Sequence, residues 1–484
     1  MTSRNGQGFL ANVASNLAVG AAALGYAVIV PAVVVRRFGA EVYGTWYLAF
    51  QVAAYIVLLD LGSQYLVTNE ASTPASTEGP ARLTTAAMAI QSALAAAVLA
   101  GTATWALLTD QAELAQLIVV LGLAGVASLM ASTVRAWFVG LRRAHVPAVW
   151  LVAARVASVA GLAAAVALDA GLLPLTVAVA APQLVVHGGL LIWARRPPTP
   201  WAQPDRAAVA RLLRGVAPLA VWTGCGIVIS GLDIFVVRAV DLRQVGRYAV
   251  ALPLLAIPTG AVTAAMTAWM PRLARAEPGP QGRRATTLGG TTLITAALAV
   301  GALAFIGGAD LLVHLLAGPG DWETATTYLQ ILYAASCLRF VFLPWAILVV
   351  VRGEQAAIVL APVVEAATNL FASVLLGLWL GAVGVALGTL VGAGAAAVAY
   401  LTYGVSQTSR SGVTANDLLT SVGHARVPMA TAATVAVLAL SGAPAIWRAA
   451  ATVAALVVNG WWLSRHGRRL TTLPQPELEP TSEQ

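Results

Sequence analysis

Long apolar runs separated by short polar seams dominate the chain. A helix that crosses a hydrocarbon layer needs about 20 mostly apolar residues. Fourteen runs read as such spans: 11–35, 43–67, 83–108, 114–139, 146–168, 172–194, 215–238, 245–270, 287–308, 325–350, 356–379, 383–405, 427–442 and 444–463. Three seams are short, at Asp169-Ala170-Gly171, at Gly381 and at Ser441-Gly442-Ala443-Pro444, so merging across them lowers the count toward twelve. Lipid admits only helices or closed barrels, and these runs far exceed barrel strands of about 9–11 residues. The pattern predicts an all-α integral membrane protein with about fourteen transmembrane helices.

Composition narrows the function. Of 484 residues, 59% are hydrophobic and 10% charged, against about 45–50% and about 25% in soluble domains. A soluble enzyme or an ordinary nucleic-acid binder is excluded. Cys225 and Cys337 both lie in apolar runs, and the sequence carries neither a zinc spacing nor a phosphate-binding GxxxxGK[ST] loop. The expectation is a protein without metal, cofactor or ATPase machinery. All 28 basic residues are arginine, and their distribution sets orientation. With the N-terminus in the cytoplasm, 19 arginines fall on the cytoplasmic side. Six (Arg36, Arg37, Arg238, Arg243, Arg247, Arg448) fall outside, and Arg135, Arg155 and Arg339 lie within the membrane. Fourteen spans then return the C-terminus to the cytoplasm.

The chain repeats itself. VRRFGAEVYGTWYLA (35–49) matches VRAVDLRQVGRYAVA (237–251) at Val35/Val237, Arg36/Arg238, Gly44/Gly246, Trp46/Tyr248 and Ala49/Ala251. ASTVRAWF (131–138) matches ASCLRFVF (335–342), which sets Arg135 against Arg339; Arg142 and Arg352 both end those spans, and Arg155 then corresponds to Glu365 in the following span. Six spans separate the equivalents, so the two halves share one orientation. The expected organisation is a six-helix bundle over 1–194, a cytoplasmic linker over 195–214 with an interfacial helix at 205–214, and a second, pseudo-symmetric bundle over 215–405. A second cytoplasmic linker (406–426), two last transmembrane helices (427–463) and a disordered cytoplasmic tail (464–484) follow. Two like bundles are the usual architecture of alternating access.

Charges inside the membrane are expensive and face a partner or a wet cavity. Six stand out: Asp60, Arg135, Arg155, Asp233, Arg339 and Glu365. Arg339 reads foremost as a cavity-lining cation, with pairing to an acid as the alternative. For Arg155 both readings stand. Arg135 is seven residues before Arg142 and either snorkels to the cytoplasmic interface or joins the cavity. Asp60, Asp233 and Glu365 are candidates for coupling to H+ or Na+ or for neutralising an arginine. Asn12, Asn16 and Gly20 form a small, polar stripe in the first span, suited to a cavity or to helix packing. His314, in LLVHLL, reads as an interfacial residue rather than a general base.

These residues carry a resemblance. Phe38-Gly-Ala-Glu-Val-Tyr-Gly44-Thr-Trp46, Tyr55-Ile-Val-Leu-Leu-Asp60-Leu-Gly62, and Ser230-Gly-Leu-Asp233-Ile-Phe-Val-Val followed by Val245-Gly-Arg-Tyr248 resemble the polysaccharide-biosynthesis, O-antigen flippase branch of the multidrug/oligosaccharidyl-lipid/polysaccharide (MOP) exporter superfamily. The resemblance implies a flippase in the bacterial cytoplasmic membrane, without enzymatic chemistry. It would move a polyprenyl-pyrophosphate-linked oligosaccharide of O-antigen, capsule or exopolysaccharide type. Membrane lipid would surround it, and glycosyltransferases and a polymerase of the same pathway would be its partners. Arginine binds phosphate oxygens bidentately, so Arg155, Arg339 and Arg135 become candidates for the anionic head group. A cation-coupled multidrug exporter of the same fold is the first alternative, and a peptidoglycan-precursor flippase is a further relative. A membrane glycan polymerase or ligase is the alternative of another class, but the largest expected outer loop, 309–324, is short for one.

Overall fold

The computed structural model describes residues 2–72, 78–197, 200–275, 280–351, 356–404, 413–441 and 443–471. Among these, every regular element is helical. Twelve helices are long and apolar enough to cross a membrane, and thirteen when one bent pair counts as a span. The chain is a multi-pass membrane protein. The first two expected spans lie in one run of 58 residues, Ala14–Ala71, as two helices that meet at a kink. At about 1.5 Å per residue, the run has length enough for two crossings of a hydrocarbon layer of about 30 Å. The run is broken at Gly39, with φ 79° and ψ 176°, a conformation that glycine reaches without a Cβ clash. The expected seam therefore exists as a kink without an intervening loop.

The described residues fall into two compact units that divide after Ala256. The first contains α1 (Thr2–Leu58), α2 (Ser63–Ala71), α3 (Glu78–Leu108), α4 (Ala112–Gly140), α5 (His145–Ala167), α6 (Leu172–Trp193), α7 (Arg206–Gly231), α8 (Asp233–Val240) and the start of α9 (Val245–Arg275). Helix α1 packs on α4 and α5, and α6 packs on both of them. The aromatic motif after Gly39 explains how α1 is held. Trp46 is fully buried and donates its indole N–H to Thr176 Oγ1 on α6 at 3.1 Å. It stacks on Phe50 at 5.1 Å between ring centres. Tyr43 donates to the Ala249 carbonyl at 3.2 Å. Beside it, the two glycines of the repeated motif meet: a Cβ on Gly44 would lie 2.8 Å from the Gly246 nitrogen, and one on Gly246 would overlap the Ala40 carbonyl.

Helix α7 begins ahead of the seventh span. Asp205 caps it by accepting the Ala208 N–H at 2.6 Å, and the helix then runs unbroken to Gly231. The stretch expected as an interfacial helix at 205–214 is continuous with the seventh span, whose membrane-crossing part begins at Leu219, because no left-handed residue closes the helix after Arg214.

The second unit contains the rest of α9, then α10 (Pro280–Ala302), α11 (Ala309–Ala317), α12 (Glu323–Phe340), α13 (Leu343–Val351), α14 (Ala356–Leu380), α15 (Ala382–Ala399), α16 (Ala415–His424), α17 (Arg426–Leu440) and α18 (Ala445–Thr471). Helices α14 and α15 form a tight hairpin about Gly381, whose φ is 63°. Gly384, Gly388 and Gly392 line the contact: a Cβ on any of them would overlap Leu376, Ser373 or Asn369 respectively. This is the small-residue spacing that lets membrane helices approach closely. Helices α16 and α17 meet at 67°, and α10, α16, α17 and α18 pack together. Helix α18 continues eight residues beyond the expected end at 463. The remainder of the expected tail, 472–484, lies outside the described residues.

Candidate functional site

A polar cluster sits among α1, α4, α5 and α6. Arg155 on α5 donates from Nη1 to Gln183 Oε1 on α6 at 2.6 Å. Gln183 Nε2 donates in turn to the Tyr26 hydroxyl on α1 at 3.0 Å. The Arg155 guanidinium also lies over the Tyr26 ring, 4.5 Å from its centre. One turn beyond Gln183, His187 Nδ1 is 3.3 Å from Ser128 Oγ on α4. Gln183, His187 and Ser128 are buried, whereas Arg155 is half-buried. Gln183 and His187 share a helix face by their spacing of four.

The electrostatics follow from these partners. A guanidinium stays protonated in proteins. Arg155 is oriented by one neutral amide and one aromatic face, and no carboxylate forms an ion pair with it among the described residues. Its positive charge is thus positioned but not neutralised. Arg135 is similar: Nη2 donates to Asn16 Oδ1 on α1 at 2.6 Å, while its buried Nε has no hydrogen-bond partner among the described residues. Asn16 and Tyr26 are ten residues apart, about 15 Å of helix rise. The two guanidinium groups are therefore spaced along α1. The side chain of Asn12 lies outside the described residues.

The matching positions of the second unit behave oppositely. Arg339 on α12 donates from Nε to Glu365 Oε1 on α14 at 2.7 Å. The Glu365 side chain is 6% exposed and that of Arg339 24%. Of the two sequence readings of Arg339, cavity lining and pairing to an acid, the structure displays the pairing. At the matched positions, Arg135 and Arg155 of the first unit have no acid partner among the described residues, whereas Arg339 and Glu365 of the second pair with each other.

The other two acids are placed differently. Asp60 lies in the turn between α1 and α2, where Leu61 and Gly62 have φ of 47° and 82°. Its carboxylate accepts the backbone N–H groups of Gly62 and Gln64, so it holds a helix break together. Among the described residues no arginine forms an ion pair with it. Asp233 begins α8 at the break after α7; it is buried and accepts the Tyr248 hydroxyl at 3.3 Å. Two arginines read as solvated outer charges are engaged. Arg37 binds Asp169 at 2.5 Å and the carbonyls of Val166 and Ala170, closing the end of α5. Arg238 binds Gln111 and lies over the Trp105 ring. His314 contacts Asp310, one turn earlier on α11.

Tyr26, Ser128, Gln183 and His187 were missed by sequence reasoning. A glutamine and a histidine four apart within one apolar run were the available signal.

A bundle of membrane-crossing helices with oriented, uncompensated guanidinium groups inside it defines a polytopic membrane protein built around a polar interior. A family model described as "Polysaccharide biosynthesis protein" matches residues 9–277, more than half of the chain. The chain belongs to that family. A comparison with curated proteins finds no matching sequence. Among solved structures, the chain is similar to "Lipid II flippase MurJ, inward closed conformation" with a TM-score of 0.67 at 12% identity, covering 95% of this chain and 99% of that one. It is similar to an inward-facing multidrug resistance MATE transporter of the MOP superfamily with a TM-score of 0.63 at 13% identity, covering 83% and 95%. A MOP superfamily transporter from Pyrococcus furiosus matches with a TM-score of 0.53 at 13% identity, covering 87% and 93%. At these identities the likeness establishes the fold alone, which this chain shares with those structures.

Proposed function

We propose that the protein is a flippase that carries a polyprenyl-pyrophosphate-linked oligosaccharide across a bacterial cytoplasmic membrane by alternating access. The observation that carries this reading is the Arg155 group: a guanidinium inside the bundle, aimed by Gln183 and Tyr26 and balanced by no acid among the described residues. An intramembrane cation of this kind calls for an anionic partner. A pyrophosphate supplies one, since guanidinium and phosphate form parallel charge-assisted hydrogen bonds. Gln183, His187 and Ser128 add neutral hydrogen-bonding groups beside the phosphate or the first sugar. Arg135 and Asn16 offer a second station along α1. Family membership supports a carbohydrate-linked substrate, and the fold shared with a lipid II flippase supports a lipid carrier. Transport needs no covalent step and no bound cofactor; its energy comes from H+ or Na+ gradients, from the membrane potential, or from consumption of the glycan outside. Glycosyltransferases that build the substrate and a polymerase that uses it are the natural partners.

The test is transport in proteoliposomes. A lipid-linked oligosaccharide placed in the inner leaflet becomes accessible to an external lectin only after it crosses. The parent protein is expected to expose it. Arg155→Ala should slow exposure by roughly 10- to 100-fold, the equivalent of losing one charge-assisted hydrogen-bond pair worth about 1.5–3 kcal/mol. A second reading, a cation-coupled drug exporter, draws on buried Asp233 with its Tyr248 partner and on the fold shared with MATE transporters. Gradient-driven efflux of cationic dyes, with no lectin exposure, would decide for that reading.

A further inference from the structure

The second unit holds a cavity of about 540 Å³ that the transport reading does not use. It lies at the corner where α16 and α17 meet at 67°, closed on one side by α18 and on another by α10. Its floor is apolar: Trp462 is buried and packs with Ala296, Ala425 and Val427. Its rim is cationic and aromatic. His424 ends α16, Arg426 begins α17, and Trp461 and His466 come from α18. His466 stacks on Trp462 with ring centres 5.1 Å apart, and Arg465 lies 4.5 Å above the Trp461 ring. No aspartate or glutamate lines the cavity. Neither Arg426 nor His424 has an ion-pair partner among the described residues.

From this arrangement we propose that the cavity binds the phosphate head group of an anionic phospholipid. Arg426 supplies a fork for two phosphate oxygens, and His424 and His466 supply ring N–H donors. Tryptophan beside a cation is the side chain suited to the membrane–water boundary. The face of α18 that continues from the cavity exposes Trp461, Val457 and Val453 by 51%, 68% and 62%, a surface for acyl chains. The arginine distribution puts this end of the bundle in the cytoplasm, where anionic lipids and basic pockets between helices meet. The volume falls within the range of about 300–1,000 Å³ typical of small-molecule sites.

Native mass spectrometry of the full-length protein tests this. Delipidated protein is incubated with phosphatidylglycerol, phosphatidylcholine, or inorganic phosphate alone. Retention of phosphatidylglycerol at least fivefold over phosphatidylcholine is expected, falling at least fivefold in Arg426→Ala/His466→Ala. Arg243→Ala, an exposed cation in the other unit, should retain lipid as the parent does. Equal retention of both lipids, or unchanged phosphatidylglycerol retention in the double variant, overturns the proposal. Bound inorganic phosphate that no lipid displaces overturns the lipid source. If the double variant does not fold, Arg426→Gln alone, monitored for helicity, serves with the same criterion.

Discussion

Glu365→Gln removes one charge from the second unit and leaves the side-chain shape nearly intact. Glu365 faces Arg339 with an N–O distance of 2.7 Å and is 4% exposed as a residue. Charge centres about 4 Å apart attract by roughly 4 kcal/mol at an effective dielectric of about 20. Relief of Glu365 desolvation offsets part of that loss, and the glutamine amide oxygen still accepts from Arg339. The expected net destabilisation is about 2 kcal/mol, below the about 3–5 kcal/mol typical when a fully buried pair is broken outright. Arg339→Met with Glu365→Leu removes both charges at once and is expected within about 1 kcal/mol of the parent, because no orphaned charge remains. Reversible unfolding in mixed micelles, followed by tryptophan fluorescence, gives all the free energies for a double-mutant cycle with Arg339→Met and Glu365→Leu. With each single variant losing at least about 2 kcal/mol and the double variant within about 1 kcal/mol, a coupling of about 3 kcal/mol or more is expected. Additivity within about 0.5 kcal/mol would refute the claim that the two groups neutralise each other. The same double variant separates structure from transport: it should keep lectin exposure of the lipid-linked glycan, whereas Arg155→Ala should slow it by roughly 10- to 100-fold.

Three further outcomes follow from the packing. Gly246→Ala places a Cβ into the Ala40 carbonyl, so it should lower the yield of monodisperse protein, and Gly44→Ala should do so to a lesser degree. Gly388→Leu should separate α14 from α15, where Ser373 and its Asn369 partner sit; crosslinking of cysteines placed across that hairpin, efficient in the parent, should fail. At the start of α7, Asp205 accepts the Ala208 N–H and pairs with Arg82 at 2.7 Å. Those contacts, the backbone bond first, hold its carboxyl below the usual carboxylate range. A depressed value means the stabilisation is present at neutral pH and lost as pH falls through that lowered value. Amide exchange at 206–209 should therefore be faster in Asp205→Ala than in the parent at pH 6. The two should converge only below the ordinary carboxylate range of about pH 4.

Much of the architecture is legible in the sequence because lipid imposes a length on each helix. The break at Gly39 falls in the expected seam between 35 and 43, and the matched glycines Gly44 and Gly246 prove to be the close approach itself. What length cannot specify is how far a helix continues. Asp205 caps a helix that runs on into a span, and α18 outlasts its apolar run. At the candidate site, depth is readable and partners are not. An arginine in an apolar run announces that something must face it, yet rotation about the helix axis decides what. Arg339 meets Glu365, 26 residues away on another helix, whereas Arg155 meets Gln183 and Tyr26. The repeat aligned Arg155 with Glu365, so the charge inversion between halves was visible; its consequence, one neutral pair and two uncompensated cations, needed the packing.

The central claim is that uncompensated Arg155 receives an anionic head group during translocation. Its most direct test compares initial transport rates for two substrates that share one glycan and one polyprenyl tail. One joins them through a pyrophosphate and the other through a neutral linker. In proteoliposomes, the parent protein should favour the pyrophosphate substrate by roughly 10-fold or more, about 1.4 kcal/mol, and Arg155→Gln should abolish that preference. Equal rates for both substrates in the parent, or a preference that survives in Arg155→Gln, would contradict the account.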